Sequence, residues 1–402
     1  MDTNHELDTG DQLTRYLEGA AKFLRDKRQR ASFAMYALGL LSEGERKSVE
    51  PIAARACCAP EQAHAMHERL LHFTTSVAWR DEPIRQYAAH YAVKAMQAQG
   101  PIRTWVVDDT GFLKQGKHSP GVQRQYTGSA GKTANCQIGV SLVLASEHAH
   151  VATDFELYIP ESWADDRERC RRAKIPDDVQ YEPKWALALR MIERAKAAGM
   201  PEGVVLGDSD YGTKTVFRDM LDVLELQYAL EVQGTAMLRR IGKRGIAGQR
   251  MSVAELGVLL HDKLRTVTWR EGTKVALRSR FARTRIVIDR DDGSVREPQW
   301  LLIEWPEGEP APTKFVLSTM PPQTSLKQLV RTFKSRWRIE RSYEDLKGEL
   351  GLDHYEGRSF IGWHHHVTVV LTCYAFLVAA HARSFPPSAE CTLVDHAIAH
   401  AA

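Results

Sequence analysis

Residues 104–111 read TWVVDDTG, a short β-prone run that ends in two acids and a turn. An acid that follows an apolar strand stands at the C-terminal edge of a sheet, where open α/β sheets build their sites. Asp also starts turns for purely local reasons, so Asp108 and Asp109 do not decide the matter by themselves. The chain on either side does. Upstream of Pro101, apolar residues recur at helical spacing through FLRDKRQRASFAMYALGLL (23–41) and EQAHAMHERLLHF (61–73), which predicts a helical unit over residues 1–98. Within it, residues 47–71 read as helix, a turn at Ala59-Pro60, and helix. That spacing suits a DNA-binding helix-turn-helix and a plain helical hairpin equally.

Downstream, a Gly- and Lys-rich loop leads to strands at Gln137–Ala145 and Val151–Ile159, then a charged stretch from 160 to 183. A helix follows over Lys184–Ala198, closed by Gly199, and a strand at Val204–Leu206 runs into Gly207-Asp208-Ser209-Asp210. A helix over Thr213–Leu226 and a strand over Tyr228–Val232 complete the series. Three strands, then helix, strand, helix, strand, is an α/β order with a mixed sheet, first part 99–234. Residues 235–320 change texture again: β-prone runs flank a turn at Glu271-Gly272, and ARTRIVIDR, QWLLIEW and KFVLST add further strands. This predicts a β-rich insertion, after which 321–402 returns to the core with helices.

Bulk properties narrow the class. A chain of 402 residues with 43% hydrophobic and 26% charged residues is an ordinary globular protein with room for two or three domains. The apolar stretch Val367–Ala380 is too short to span a bilayer, and the acidic, polar start is not a signal peptide. Six cysteines without CxxC spacing argue against a zinc site or a disulfide framework. A cytosolic protein with free thiols and no membrane segment is the simplest reading. The segment 239–290 holds fourteen Lys or Arg against Glu255, Asp262, Glu271 and Asp289, a local +10 in a chain of net +3. Such a segment suits a polyanion.

A second acid, Asp208, also ends a strand of the same sheet, and a helix rich in both charges returns at FKSRWRIERSYEDLK (333–347), after capping-box spacing at Ser325 and Gln328. At 100° per residue, Phe333, Arg336, Glu340, Tyr343 and Lys347 fall within about 80° of one another, Glu344 lies just beyond, and Asp345 points away. Glu340 therefore shares its face with two cations that suit phosphate oxygens. Three converging carboxylates are too negative to leave unpaired. Hard divalent ions resolve this, and without Cys or His in the set the choice falls on Mg²⁺, with Mn²⁺ as substitute, rather than Zn²⁺. Two such ions serve phosphodiester chemistry.

These motifs resemble the DDE transposases of bacterial insertion sequences, in the group marked by YxxRxxxExxxxxxK. Here the signature reads Phe333-xx-Arg336-xxx-Glu340-xxxxxx-Lys347, with Phe in place of Tyr, so no hydroxyl stands at that position. VVDDTGFLKQGKHSPGVQRQY resembles the first-Asp region of the family and VVLGDSDYG the second, and the resemblance extends over about residues 100 to 360. It implies an RNase H-like fold, Mg²⁺-dependent cutting at terminal inverted repeats, and strand transfer into target DNA, with a hairpinned end as one route. Asp108, Asp208 and Glu340 carry over as the catalytic, metal-binding acids, with Asp109 as the alternative first ligand. Arg336 and Lys347 carry over as contacts to end phosphates. Lys132, Arg239, Arg240, Lys243 and Arg244 are the further DNA-contact candidates, and Trp300 or Phe315 would stack on a flipped base. Cutting two ends together implies at least a homodimer in the active complex. A stand-alone Mg²⁺ nuclease and a non-catalytic DNA-binding descendant are the rival readings.

Two tempting signals carry less. Gly128-Ser-Ala-Gly131-Lys132-Thr133 lacks the first Gly of a P-loop, since Tyr126 occupies it, and a strand follows. His364-His365-His366 diverge by about 100° each on a helix, so they suit a structural or DNA-facing role better than a metal.

Overall fold

The computed structural model describes residues 3–384 apart from 243–244, 247, 271–275 and 291–293. Five helices open the chain: α1 (Thr3–Ala21), α2 (Lys27–Leu41), α3 (Val49–Ala56), α4 (Pro60–Thr75) and α5 (Glu82–Gln97). Asp26 caps α2 by accepting from the amides of Arg28 and Gln29, and Pro60 begins α4 where a missing N–H does no harm. Helices α3 and α4 pack on each other and on α2.

The sheet begins with β1 (Thr104–Leu113), β2 (Gln123–Thr127), β3 (Lys132–Ala145) and β4 (His150–Tyr158). Helix α6 (Lys184–Ala197) leads to β5 (Val204–Gly207), and α7 (Thr215–Val223) to β6 (Tyr228–Val232). Strands β4, β3 and β1 are antiparallel neighbours, while β1, β5 and β6 run parallel. The core order β4-β3-β1-β5-β6 is an RNase H-like mixed sheet, α/β as the sequence predicts. Strand β3 starts five residues earlier than its apolar run, because its polar first turn pairs with β2, a strand the sequence does not announce.

The β-rich segment does not stand apart from this sheet. It comprises β7 (Met237–Gly242), β8 (Arg265–Arg270), β9 (Leu277–Val287), β10 (Gln299–Glu304) and β11 (Lys314–Ser318), beside two-residue strands at Gly245–Ile246 and Met251–Ser252. Strand β11 pairs antiparallel with β6, and β10, β9 and then β7 and β8 follow, so the insertion extends the catalytic sheet past its edge. An exposed edge strand is a liability, and this pairing removes it from β6. The turn expected at Glu271-Gly272 lies outside the described residues.

Three helices close the fold: α8 (Leu326–Lys334), α9 (Trp337–Gly348) and α10 (Phe360–Ser384). Ser325 and Gln328 form the expected capping box at the head of α8. The single helix expected through 333–347 is instead broken at Ser335-Arg336, where tight i→i+3 bonds such as Arg336 N to Phe333 O turn the chain, so Phe333 belongs to α8. Helix α10 is longer than its apolar stretch suggested. Its 25 residues suffice by length and composition to cross a membrane, yet 67% of its apolar 18-residue stretch is buried within the protein. It packs along α5 and against β4, α2 and α4, and the Tyr16 hydroxyl donates to Thr372 O at 2.9 Å. A helix apolar on all sides is buried somewhere, and here α1, α2, α4, α5 and the sheet bury it. One apolar core runs unbroken from Tyr16 through Trp105 and Leu302 to Phe376.

Candidate active site

Strands β1 and β5 pair in parallel with Val106 opposite Leu206, so two residues further on Asp108 and Asp208 leave neighbouring strands at one level. Strand β5 stops at Gly207, and Asp208 caps the short helix Ser209–Gly212 by accepting from Asp210 N at 2.9 Å. That turn fits only because Gly212 lacks a Cβ, which would collide with the carbonyl of Glu231 on β6. Strand β1 runs on beyond Asp108, pairing with β3 alone, and the divergence opens a cleft between β1 and β5.

Helix α9 lies over this face of the sheet. The hydroxyls of Tyr343 and Ser141 are 2.7 Å apart, and Ser141 is the β3 partner of Asp108. From the head of α9, Arg336 Nη1 donates to Asp108 Oδ2 at 2.6 Å, and its Nη2 lies 3.0 Å from Glu340 Oε1. Glu340 is the most open of the group, its side chain 48% exposed, against 16% for Asp108. Burial raises the Asp108 carboxyl to about 7 in spite of Arg336, with Asp208 and Asp109 pushing the same way. Burial likewise raises Asp208, helped by Asp210. Burial opposes the charge on Arg336, but Asp108, Glu340 and Asp208 more than offset it and hold the guanidinium above its ordinary value. The site is thus a carboxylate cleft with one arginine at its centre.

Asp109 faces the other side of β1 and accepts from Lys184 Nζ of α6 at 2.8 Å. Lys347 Nζ donates to Thr110 Oγ1 at 2.8 Å and Gly111 O at 2.9 Å, so it braces β1. Lys132 is exposed at the start of β3. Arg239 is held by Asp289, which Arg250 also approaches at 3.3 Å, and Arg240 is half-buried beside it. Lys243 and Arg244 lie outside the described residues. Trp300 is buried on β10, its Nε1 donates to Pro321 O at 3.0 Å, and Arg283 and Arg285 lie 4.4 and 4.9 Å from its ring centre. Phe315 is buried on β11. Neither ring offers a free face as the structure stands. His366 takes the Tyr36 hydroxyl at 2.8 Å and Gly351 O at 3.0 Å, and His365 sits between Thr74 O and Trp79 O, so both rings are held by packing partners.

Sequence reasoning did not single out Lys184 or Ser141, which orient the two faces of β1. No local signal marks them, because their partners are 75 and 202 residues away.

The donor set of Asp108, Asp208 and Glu340 is all carboxylate oxygen, which fits a hard divalent ion, and the buried excess of negative charge at Asp108 is what such an ion would relieve. Among the described residues no three acid, His or Cys side chains stand close enough to close around an ion. Arg336 bridges two of the acids instead.

An RNase H-like sheet with two acids leaving adjacent parallel strands, and a third on a helix above them, defines the class of protein. A family described as DDE superfamily endonuclease matches residues 21–276, and the chain belongs to it. That span contains Asp108 and Asp208 and ends before Glu340. The chain is also similar to a "Probable transposase for insertion sequence element IS701" of Microchaete diplosiphon, 23% identical over 350 residues that cover 85% of this chain and 81% of that one.

Proposed function

We propose that this endonuclease is a DNA transposase, which cuts the ends of an insertion sequence and joins them to target DNA. The observation that carries this reading is the placement of Asp108 and Asp208 at one level on adjacent parallel strands, with Glu340 joined to Asp108 through Arg336 from the helix above. The likeness to the IS701 protein supports the choice of an insertion sequence as substrate.

In this reading Asp108, Asp208 and Glu340 hold two Mg²⁺ ions, which when bound activate the attacking oxygen and stabilise the leaving one. The chain's own side chains do the rest. Asp108 and Asp208 stand on strands, so their spacing is fixed by the sheet, while Glu340 on α9 can adjust. Tyr343, bonded to Ser141, fixes α9 against β3 and thereby the height of Glu340 above the cleft. Arg336 supplies a planar fork suited to a phosphate. Exposed Lys132 offers a further phosphate contact beside the cleft strands. Residues 1–98 serve end recognition, residues 99–234 and 321–402 form the catalytic core, and 235–320 carries basic surface along the DNA. Two protomers pair the two ends; water frees a 3′-OH at each end, that hydroxyl attacks the opposite strand to close a hairpin and release the flanking DNA, and a second water opens the hairpin to restore the 3′-OH that attacks target DNA.

The test is incubation of purified protein with labelled inverted repeats and Mg²⁺, resolved on a denaturing gel. Specific binding without cleavage by the wild type would sink the enzyme reading, and undiminished cleavage by Glu340→Ala would sink the site. A hairpin runs as a double-length strand on that gel; its absence alongside nicked ends would remove the hairpin route alone.

A further inference from the structure

Arg336 holds two acids at once. Its two terminal nitrogens reach Asp108, 228 residues away on β1, and Glu340, one turn along α9, at 2.6 and 3.0 Å. The side chain is only 20% exposed, so this is not a solvated helix pair of the kind worth little. Its backbone lies at the break between α8 and α9, bonded to Phe333 O at 3.2 Å and accepting from Ile339 N at 3.1 Å. The arginine is therefore mounted on a joint and not in the middle of a helix.

A guanidinium, a carboxylate and a phosphate form a closed set of competitors. The arginine fork matches carboxylates and phosphates alike, and divalent ions take the same carboxylate oxygens that the arginine occupies. In the DNA-free protein Arg336 occupies carboxylate oxygens of Asp108 and Glu340 that an ion would need. We propose that Arg336 is a latch: it blocks ion loading until a DNA phosphate draws its guanidinium away from the two carboxylates. The inference rests on the reading of Asp108, Asp208 and Glu340 as ion ligands. Linkage then makes the effect reciprocal, so DNA raises the affinity for the ion by the same factor as the ion raises the affinity for DNA. A protein built this way carries no loaded nuclease site while it is off DNA.

Two binding measurements test the latch without turnover. The first titrates DNA-free protein with Mn²⁺ and follows free ion by its paramagnetic resonance. R336Q is expected to bind Mn²⁺ roughly tenfold tighter than the wild type, the order of one charge-assisted hydrogen bond removed from competition. The second measures binding of a fluorescent mixed-sequence duplex in EDTA at low salt, where phosphate contacts dominate. D108N is expected to bind the duplex several-fold tighter than the wild type, and this gain is expected to vanish when the same change is made in the R336Q background. Mn²⁺ affinity no higher in R336Q overturns the latch, and so does an equal D108N gain in both backgrounds. If R336Q melts well below the wild type, R336K replaces it; Lys keeps the charge but cannot fork between two carboxylates, so its Mn²⁺ affinity must still exceed the wild-type value. Mn²⁺ binding equal in wild type, D108N, D208N and E340Q would remove the ion-ligand reading itself, and the latch with it.

Discussion

Asp108 and Asp109 are neighbours on one strand and look in opposite directions: Arg336 meets the first from α9, and Lys184 meets the second from α6. Alternation along a strand makes this unavoidable. D108N is therefore expected to lose cleavage by at least about a hundredfold while its melting temperature changes little, since Arg336 keeps Glu340 as a partner. D109N is expected to retain cleavage and lose about 1–3 kcal/mol of stability, because Lys184 keeps its charge and loses its partner. Cleavage assays with urea titrations of both variants decide; the opposite pattern would make Asp109 the first ligand.

Of the three acids between 340 and 345, Glu340 alone bends toward the cleft. Glu344 and Asp345 pair with Arg341 at 3.2 and 2.9 Å, and Asp345 also meets the Tyr374 hydroxyl of α10. E340Q is expected to abolish cleavage with an unchanged thermal melt. E344Q is expected to stay within about threefold of the wild type, as exposed pairs of this kind contribute under about 1 kcal/mol. Strand cutting by the two variants, read on one gel, separates them.

The seam between α8 and the extended sheet rests on Lys334. Its ammonium donates to both oxygens of buried Glu304 on β10, at 2.8 and 2.7 Å, and lies 4.5 Å from the ring centre of Trp269 on β8. K334A leaves Glu304 buried without a counter-ion and is expected to cost about 3–5 kcal/mol. K334A combined with E304Q should recover part of that loss. A double-mutant cycle in urea measures the coupling.

His366 is wholly buried and neutral, donating Nε2–H to Gly351 O and accepting the Tyr36 hydroxyl at Nδ1. Burial lowers its pKa from 6.5 to about 4. Because the folded value lies below the unfolded one, the unfolded chain takes up the extra proton between them. The stabilisation is complete above pH 6.5 and is lost as pH falls toward 4, on the order of 3 kcal/mol over the window. The pH slope of unfolding free energy between 6.5 and 4 is expected to fall by about one proton in H366N; an unchanged slope would contradict the assignment.

The sequence shows this site clearly where its determinants are local. Apolar runs that end in acid place Asp108 and Asp208; β5 ends one residue past its expected end, whereas β1 runs on from Val107 to Leu113 because its far half pairs with β3. The phase of α9 places Glu340 beside Arg336, since an i, i+4 pair survives even though the helix begins only at Trp337. What could not be read depends on distant partners. Strand β2 is polar and exists because β3 pairs with it, and the break at Ser335-Arg336 is set by where α8 and α9 each dock. The insertion's strands look self-sufficient in the sequence, but only pairing of β11 with β6 reveals that they continue the catalytic sheet. Arg239 reads as free basic surface until Asp289, fifty residues on, is seen to hold it.

Helix α10 gives the order of synthesis a consequence. Helices α1, α2, α4 and α5 and strand β4 all rest on it, so they present uncovered apolar faces until residues 360–384 have been made. Glu340 is likewise delivered late, well after both aspartates. A chain that stops short of residue 360 therefore leaves these apolar faces without their cover, and one that stops before Glu340 also lacks the third acid. For an enzyme whose substrate is DNA, this makes completeness of the polypeptide a precondition for the hazard it carries.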